Sequence, residues 1–155
     1  MISDFTIITR HFPENNDLVI FPIGDLHLGA AEHMESAWRE FRTNILEQPN
    51  AYIVLVGDLL NNATKNSLSN VYDEVLRPRE AKKQMVEMLN PLRDRILCAV
   101  SGNHERRSSR DVDDDIVYDI LCKLDFQKRH IFTINIFQIQ LAKNVIDNIV
   151  INIPA

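Results

Sequence analysis

Three short clusters of side chains able to hold a metal ion recur along the chain: Gly24-Asp25-Leu26-His27, Gly57-Asp58 and Gly102-Asn103-His104-Glu105. Carboxylate, amide oxygen and imidazole form a mixed donor set that suits Mn²⁺, Fe, Co or Zn better than a thiolate-seeking ion. Asp-x-His and Gly-Asp arise often by composition, so either alone is weak. Gly-Asn-His-Glu is much rarer, and all three in this order, each directly after an apolar run, argue for a single metal site. In an extended chain end Asp25 and His27 are expected on the same side, because side chains alternate with period two. The glycines are expected to let the backbone turn beside the ion and leave room for substrate. His11 and His33 lack a partner pattern and read as surface residues.

Positioning these clusters requires strands that end together. Leu18 to Ile23, Tyr52 to Val56 and Ile96 to Val100 are continuously apolar and rich in branched residues, as in parallel strands covered on both faces. Ligands at the C-terminal ends of such strands share one sheet edge, where open α/β folds bind their ligands. Helical patterns lie between the strands. Met34, Trp38, Phe41 and Ile45 form one stripe on a helix from about Glu32 to Gln48. A second helix is expected from about Arg79 to Leu92, with Pro91 in its last turn, and a third from about Asp113 to Leu124, its three opening aspartates suiting a helix N-terminus. Asn61 to Val71 reads as a loop feeding a short helix. The order is that of an α/β protein with right-handed crossovers.

With 155 residues, 45% hydrophobic and 25% charged, the chain is one domain's worth and can bury a core. Its formal charge of −5 offers no overall positive field for nucleic acid or an anionic membrane. Cys98 and Cys122 sit in apolar surroundings without Cys-x-x-Cys spacing and read as buried, reduced thiols. The N-terminus has no basic stretch followed by an apolar h-region and no apolar run approaches a membrane span, so the expectation is a cytoplasmic protein without a membrane partner. Composition changes after His130: residues 131–155 hold 8 of the 18 isoleucines but only two charged residues, Lys143 and Asp147. Ile131 to Leu141 and Val145 to Ile153 read as β-prone.

The set Gly24-Asp25-Leu26-His27, Gly57-Asp58-Leu59-Leu60-Asn61 and Gly102-Asn103-His104-Glu105 resembles the first three signature blocks of the calcineurin-like metallophosphoesterase superfamily, over roughly residues 18–125. The Asp-Leu-His-Leu-Gly form of the first block is also similar to DNA double-strand-break repair nucleases within it. The resemblance implies an α/β fold, the N-terminal half of a four-layer α/β/β/α sandwich, in residues 1–130, with residues 131–155 an atypical tail. It also implies a centre of two divalent metal ions, with Mn²⁺ first among the candidates. Asp25 and His27 would bind the first ion, Asp58 bridge both, and Asn103 bind the second through its amide oxygen. His104 would protonate the leaving-group oxygen or stabilise the transition state. Glu105 could hold the His104 ring, and Arg106 and Arg107, read as loop residues, could pair with substrate phosphate.

The family pattern continues with an isolated histidine and a Gly-His-x-His block, and this chain has neither; His130 is the one later histidine. Residues 131–155 are therefore expected to be foreign, the product of a frameshift, a broken gene or recombination, leaving a truncated enzyme of reduced or no activity alone. The implied function is hydrolysis of phosphomonoesters or phosphodiesters, with nucleic acid within the substrate range. The alternative is a non-catalytic metal-binding or interaction domain. In either case an open sheet edge invites a second copy or a partner chain.

Overall fold

The structure, a computed structural model, describes residues 6–14, 17–64, 74–125, 135–141 and 146–151. The three apolar runs form one parallel sheet in the order β2-β3-β4, with β2 Val19–Ile23, β3 Ala51–Leu55 and β4 Ile96–Ala99. Ile53, Leu55, Ile96 and Ala99 have no exposed surface, as the unbroken apolar runs require. A second sheet has the order β1-β5-β6, from β1 Thr6–Phe12, β5 Asn135–Leu141 and β6 Ile146–Ile151, with β1 parallel to β5 and β5 antiparallel to β6. Both β-prone runs after residue 130 thus contain strands. Among the described residues each sheet has three strands and is open rather than closed into a barrel.

The helices are α1 Glu35–Glu47, α2 Pro78–Leu89, α3 Asn103–Val112 and α4 Ile116–Lys123. Trp38 and Ile45 of α1, Met85 and Leu89 of α2, and Ile116, Val117, Ile120 and Leu121 of α4 join the buried strand residues in one core. On the sheet's other face Val54, Leu97 and Cys98 form a smaller cluster with Leu18, Ile20 and Tyr52, and Phe12 at the end of β1 meets Tyr52 edge-on at 4.8 Å.

Several boundaries move from their sequence-based positions. Helix α1 begins after Met34, which occupies the N-cap and is 68% exposed, so it lies outside the buried stripe. Pro91 does not fall inside α2: the chain tightens there into a 3-10 helix, Asn90–Arg95, whose start tolerates a proline that lacks an N–H. Of the three aspartates, only Asp115 caps α4, accepting from the Tyr118 N–H at 3.0 Å. Asp113 is the left-handed C-cap of α3, and Asp114 pairs at 3.1 Å with Lys82, which also meets Asp119 at 2.9 Å. Burial works against the Lys82 charge, yet these two carboxylates raise its pKa above the ordinary lysine value. Asn61 to Thr64 is loop, and the remainder of that expected segment lies outside the described residues.

Arg95 closes the end of α1. Its guanidinium donates to the carbonyls of Ile45 at 3.0 Å, Ala51 at 3.1 Å and Leu46 at 3.2 Å, and also to Gln48, which satisfies acceptors that a helix end leaves orphaned. Arg95→Met keeps most of the stem and removes the donors. The expected loss is about 1.5–3 kcal/mol, the usual range for hydrogen bonds to a charged group, read as a lower urea midpoint at unchanged slope.

Cys98 is buried as expected, whereas Cys122 is half-buried. Burial pushes the Cys98 thiol from its ordinary value near 9 up to about 12, with Arg10 opposing. Because the folded value is the higher one, the stability this thiol contributes is complete below about pH 9 and is lost as pH rises toward about 12. Cys98→Ala should therefore flatten the alkaline limb of a stability-against-pH curve, as measured by urea unfolding between those limits.

Candidate metal centre

The strand ends β2, β3 and β4 deliver the three clusters to one edge of the parallel sheet, and main-chain hydrogen bonds extend the ladder beyond it. Asp25 N–H donates to the Gly57 carbonyl at 3.2 Å, His27 to Asp58 at 3.1 Å, Leu28 to Leu59 at 2.9 Å, and Asn61 to Leu28 at 3.0 Å. The first two ligand loops are thus zipped together. They are not extended: Asp25, His27 and Asp58 have φ of 52°, 42° and 51°. That left-handed conformation is uncommon outside glycine, and aspartate and histidine are among the side chains that enter it most readily. Asp25 and His27 do approach one another, with Oδ1 to Nε2 at 3.5 Å. The reason is this turn, not the strand alternation the spacing suggested.

The third loop enters by close backbone approach. A Cβ on Gly57 would overlap the Gly102 backbone, and one on Gly102 would overlap the backbone nitrogen and carboxylate of Asp58. The space left by these two glycines is filled by protein, so they serve loop-to-loop packing where room for substrate was expected. From Gly102 the chain turns directly into α3, so Asn103, His104, Glu105, Arg106 and Arg107 are helical residues, not a loop.

Glu105 is 1% exposed and accepts three main-chain N–H groups, from Asp58 at 2.9 Å and from Leu60 and Gly102 at 3.0 Å. Burial raises its carboxyl above the usual range, while the Leu60 and Asp58 donors pull it back. The role expected for it, holding the His104 ring, falls instead to the Asn61 carbonyl, 2.5 Å from Nδ1. That bond fixes a tautomer with the proton on Nδ1 and the lone pair on Nε2. The His104 N–H in turn donates to Asp58 Oδ1 at 2.9 Å.

One ligand atom from each of His27, Asp58 and His104 lies within 4.8 Å of the others, and the two rings meet edge-on with centroids 4.5 Å apart. The Asn103 carboxamide abuts the Asp58 carboxylate at 2.6 and 3.1 Å. With its NH₂ turned inward it donates to both oxygens; with its oxygen inward the two acceptors face each other, an arrangement that a shared cation relieves. The donor set therefore fits a divalent ion. Asp25 lies at the rim, its side chain 85% exposed. Arg107 places its guanidinium 3.1 and 3.2 Å from the His104 ring nitrogens, and Arg106 is half-buried beside it. His130 lies outside the described residues.

Sequence reasoning passed over three supports. His33, taken for a surface residue, is only 10% exposed in its side chain and lies 2.8 Å from the Leu26 carbonyl through Nδ1. Asn61 acts through its carbonyl. Asn62, buried and at φ 46°, donates to the His104 carbonyl at 2.7 Å and to Ser108 at 3.0 Å. The available signal was the Asn61-Asn62 pair following a buried run, since asparagine enters the left-handed region cheaply.

Parallel strands that gather imidazole, carboxylate and amide donors at their C-terminal edge define an α/β protein with a partial cluster of candidate metal ligands. The calcineurin-like phosphoesterase family model matches residues 11–152, and the chain belongs to that family. No curated protein and no solved structure matches it significantly. No helix among the described residues is long and apolar enough to cross a membrane.

Glu105→Gln tests the scaffold of the site. The amide puts an NH₂ where a carboxylate oxygen accepts an N–H, leaving a buried donor unpaired at a cost of about 1–3 kcal/mol. Urea unfolding should show that loss, and Mn²⁺ affinity should fall with it, because Asp58 is no longer held by its own backbone.

Proposed function

We propose that the chain is a metal-dependent phosphoesterase, hydrolysing phosphomonoesters or phosphodiesters at the edge of the β2-β3-β4 sheet. The observation that carries this reading is the convergence of His27, Asp58 and His104 within 4.8 Å, with Asn103 on Asp58, in a chain of the calcineurin-like phosphoesterase family. Asp25, His27, Asp58 and Asn103 would hold two divalent ions, with Asp58 contacting both and Mn²⁺ the first choice. Bound there, such ions supply Lewis acidity and an acidified water. Arg107 binds a phosphoryl oxygen through its planar guanidinium. His104, its Nδ1–H held by the Asn61 carbonyl, would first take a proton from solvent on the Nε2 lone pair and then pass that proton to the leaving-group oxygen.

The ligand count favours one further reading. Asp25, His27 and Asp58 give the first ion three protein ligands, whereas Asp58 and Asn103 give the second only two, fewer than catalytic sites ordinarily supply. A non-catalytic metal-binding or interaction module is the outcome if the second ion is not retained.

Calorimetric titration with Mn²⁺ should show one site clearly tighter than the other. Asp58→Ala should reduce metal stoichiometry more than Asp25→Ala or Asn103→Ala, because it removes the negative charge between two cations. Hydrolysis of bis-p-nitrophenyl phosphate should fall by about 10²–10⁴-fold in His104→Ala, the span of general acid–base catalysis. Metal binding without turnover selects the module instead.

A further inference from the structure

We infer that the cleft beside the candidate metal ligands is a subsite for a planar, uncharged ring carried on the phosphate ester; this deepens the phosphoesterase reading and rests on it. The cleft encloses about 370 Å³, and Asp25 and His27 form part of its lining. A phosphoryl group at those two residues therefore has its ester substituent directed along or into this space. The apolar part of the lining includes Met34 at the N-cap of α1 and Trp38 and Phe41 within that helix. Phe41 is braced at 90° by Phe21, with centroids 5.5 Å apart, and it stands 6.5 Å from Trp38. A wall fixed in this way needs no reordering to receive a flat ring, and the thioether of Met34 adapts to an aromatic face. The volume lies in the range of pockets that bury a small organic ligand.

Charge narrows the choice. Among the described residues the lining contains Glu32, Asp25, His27 and His33 but no lysine or arginine. A second phosphate in this cleft, whether of a polynucleotide strand or of a nucleoside polyphosphate, would meet the Glu32 carboxylate, which is not among the proposed metal ligands. The occupant that fits is therefore the organic part of a single-phosphate ester, an aryl group or a nucleoside.

Trp38 is the only tryptophan of the chain, so its emission reports occupation of the cleft without any turnover. In Mn²⁺-loaded protein, phenylphosphonate, which cannot be hydrolysed, should perturb Trp38 emission saturably and bind about ten-fold or more tighter than methylphosphonate, from the apolar area of one buried ring. Met34→Asp, at the N-cap of α1 where aspartate supports a helix, should remove most of that preference while leaving the fold and Mn²⁺ uptake intact. Equal affinity for the two phosphonates, no emission change with either, or a preference that survives Met34→Asp overturns the subsite. Mn²⁺ uptake measured in parallel separates this failure from that of the parent reading: no uptake with the ring preference retained removes the phosphoesterase and keeps the subsite. Adenosine 5′-monophosphate in the same titration assigns the ring's source, tighter binding than phenylphosphonate making it a nucleobase and weaker binding a simple aryl group.

Discussion

A single buried carboxylate organises the ligand loops. Glu105 lies beneath the site and receives N–H groups from Asp58, Leu60 and Gly102. A carboxylate without partners at that depth would be strongly destabilising; with three donors it ties the loop after β3 to the start of α3. Asp58 answers in the opposite sense, its side chain accepting the His104 N–H. The reciprocal pair fixes the two elements in register, and the zipped loop from Asp25 to Leu28 is held against the same segment. The loops that carry the candidate ligands are therefore placed largely by main-chain partners, while the Asp58 carboxylate also accepts the His104 N–H.

The sheet that carries the site was legible because strands buried on both faces cannot hide: Tyr52 to Val56 and Ile96 to Val100 admit no polar residue. Helix α3 was not legible for the opposite reason. Asn103–Val112 is polar nearly throughout and has no apolar stripe, so its helicity rests on the Gly102 and Glu105 cap and on Asn62 holding its first turn, none of which leaves a periodic mark. Met34 fits the period of its helix but precedes the first turn, where periodicity no longer decides what is buried.

The candidate ligands could be named from their types, yet the geometry assumed for them was wrong. Asp25 and His27 meet because both adopt left-handed backbone, a conformation that residue spacing cannot reveal. His33 and Asn61 were missed because each contact ends on a main-chain carbonyl, that of Leu26 for the His33 ring and that of Asn61 for the His104 ring, and every residue type offers a carbonyl. Strands β5 and β6 were anticipated as β-prone runs, but the pairing of β5 with β1 Thr6–Phe12 depends on contacts between segments more than a hundred residues apart, which local pattern does not encode.

The left-handed backbone at Asp25, His27 and Asp58 narrows the side chains that those positions accept. Glycine is the residue best suited to those three dihedral pairs, and each replacement by glycine would relax the chain while deleting a donor. Random drift that is filtered only for folding would thus tend to erase this site first and leave its mould intact, since the ladder between the loops needs no side chain. Aspartate, asparagine and histidine are the non-glycine types that enter this region most readily, so beyond glycine the backbone itself favours side chains able to hold an ion.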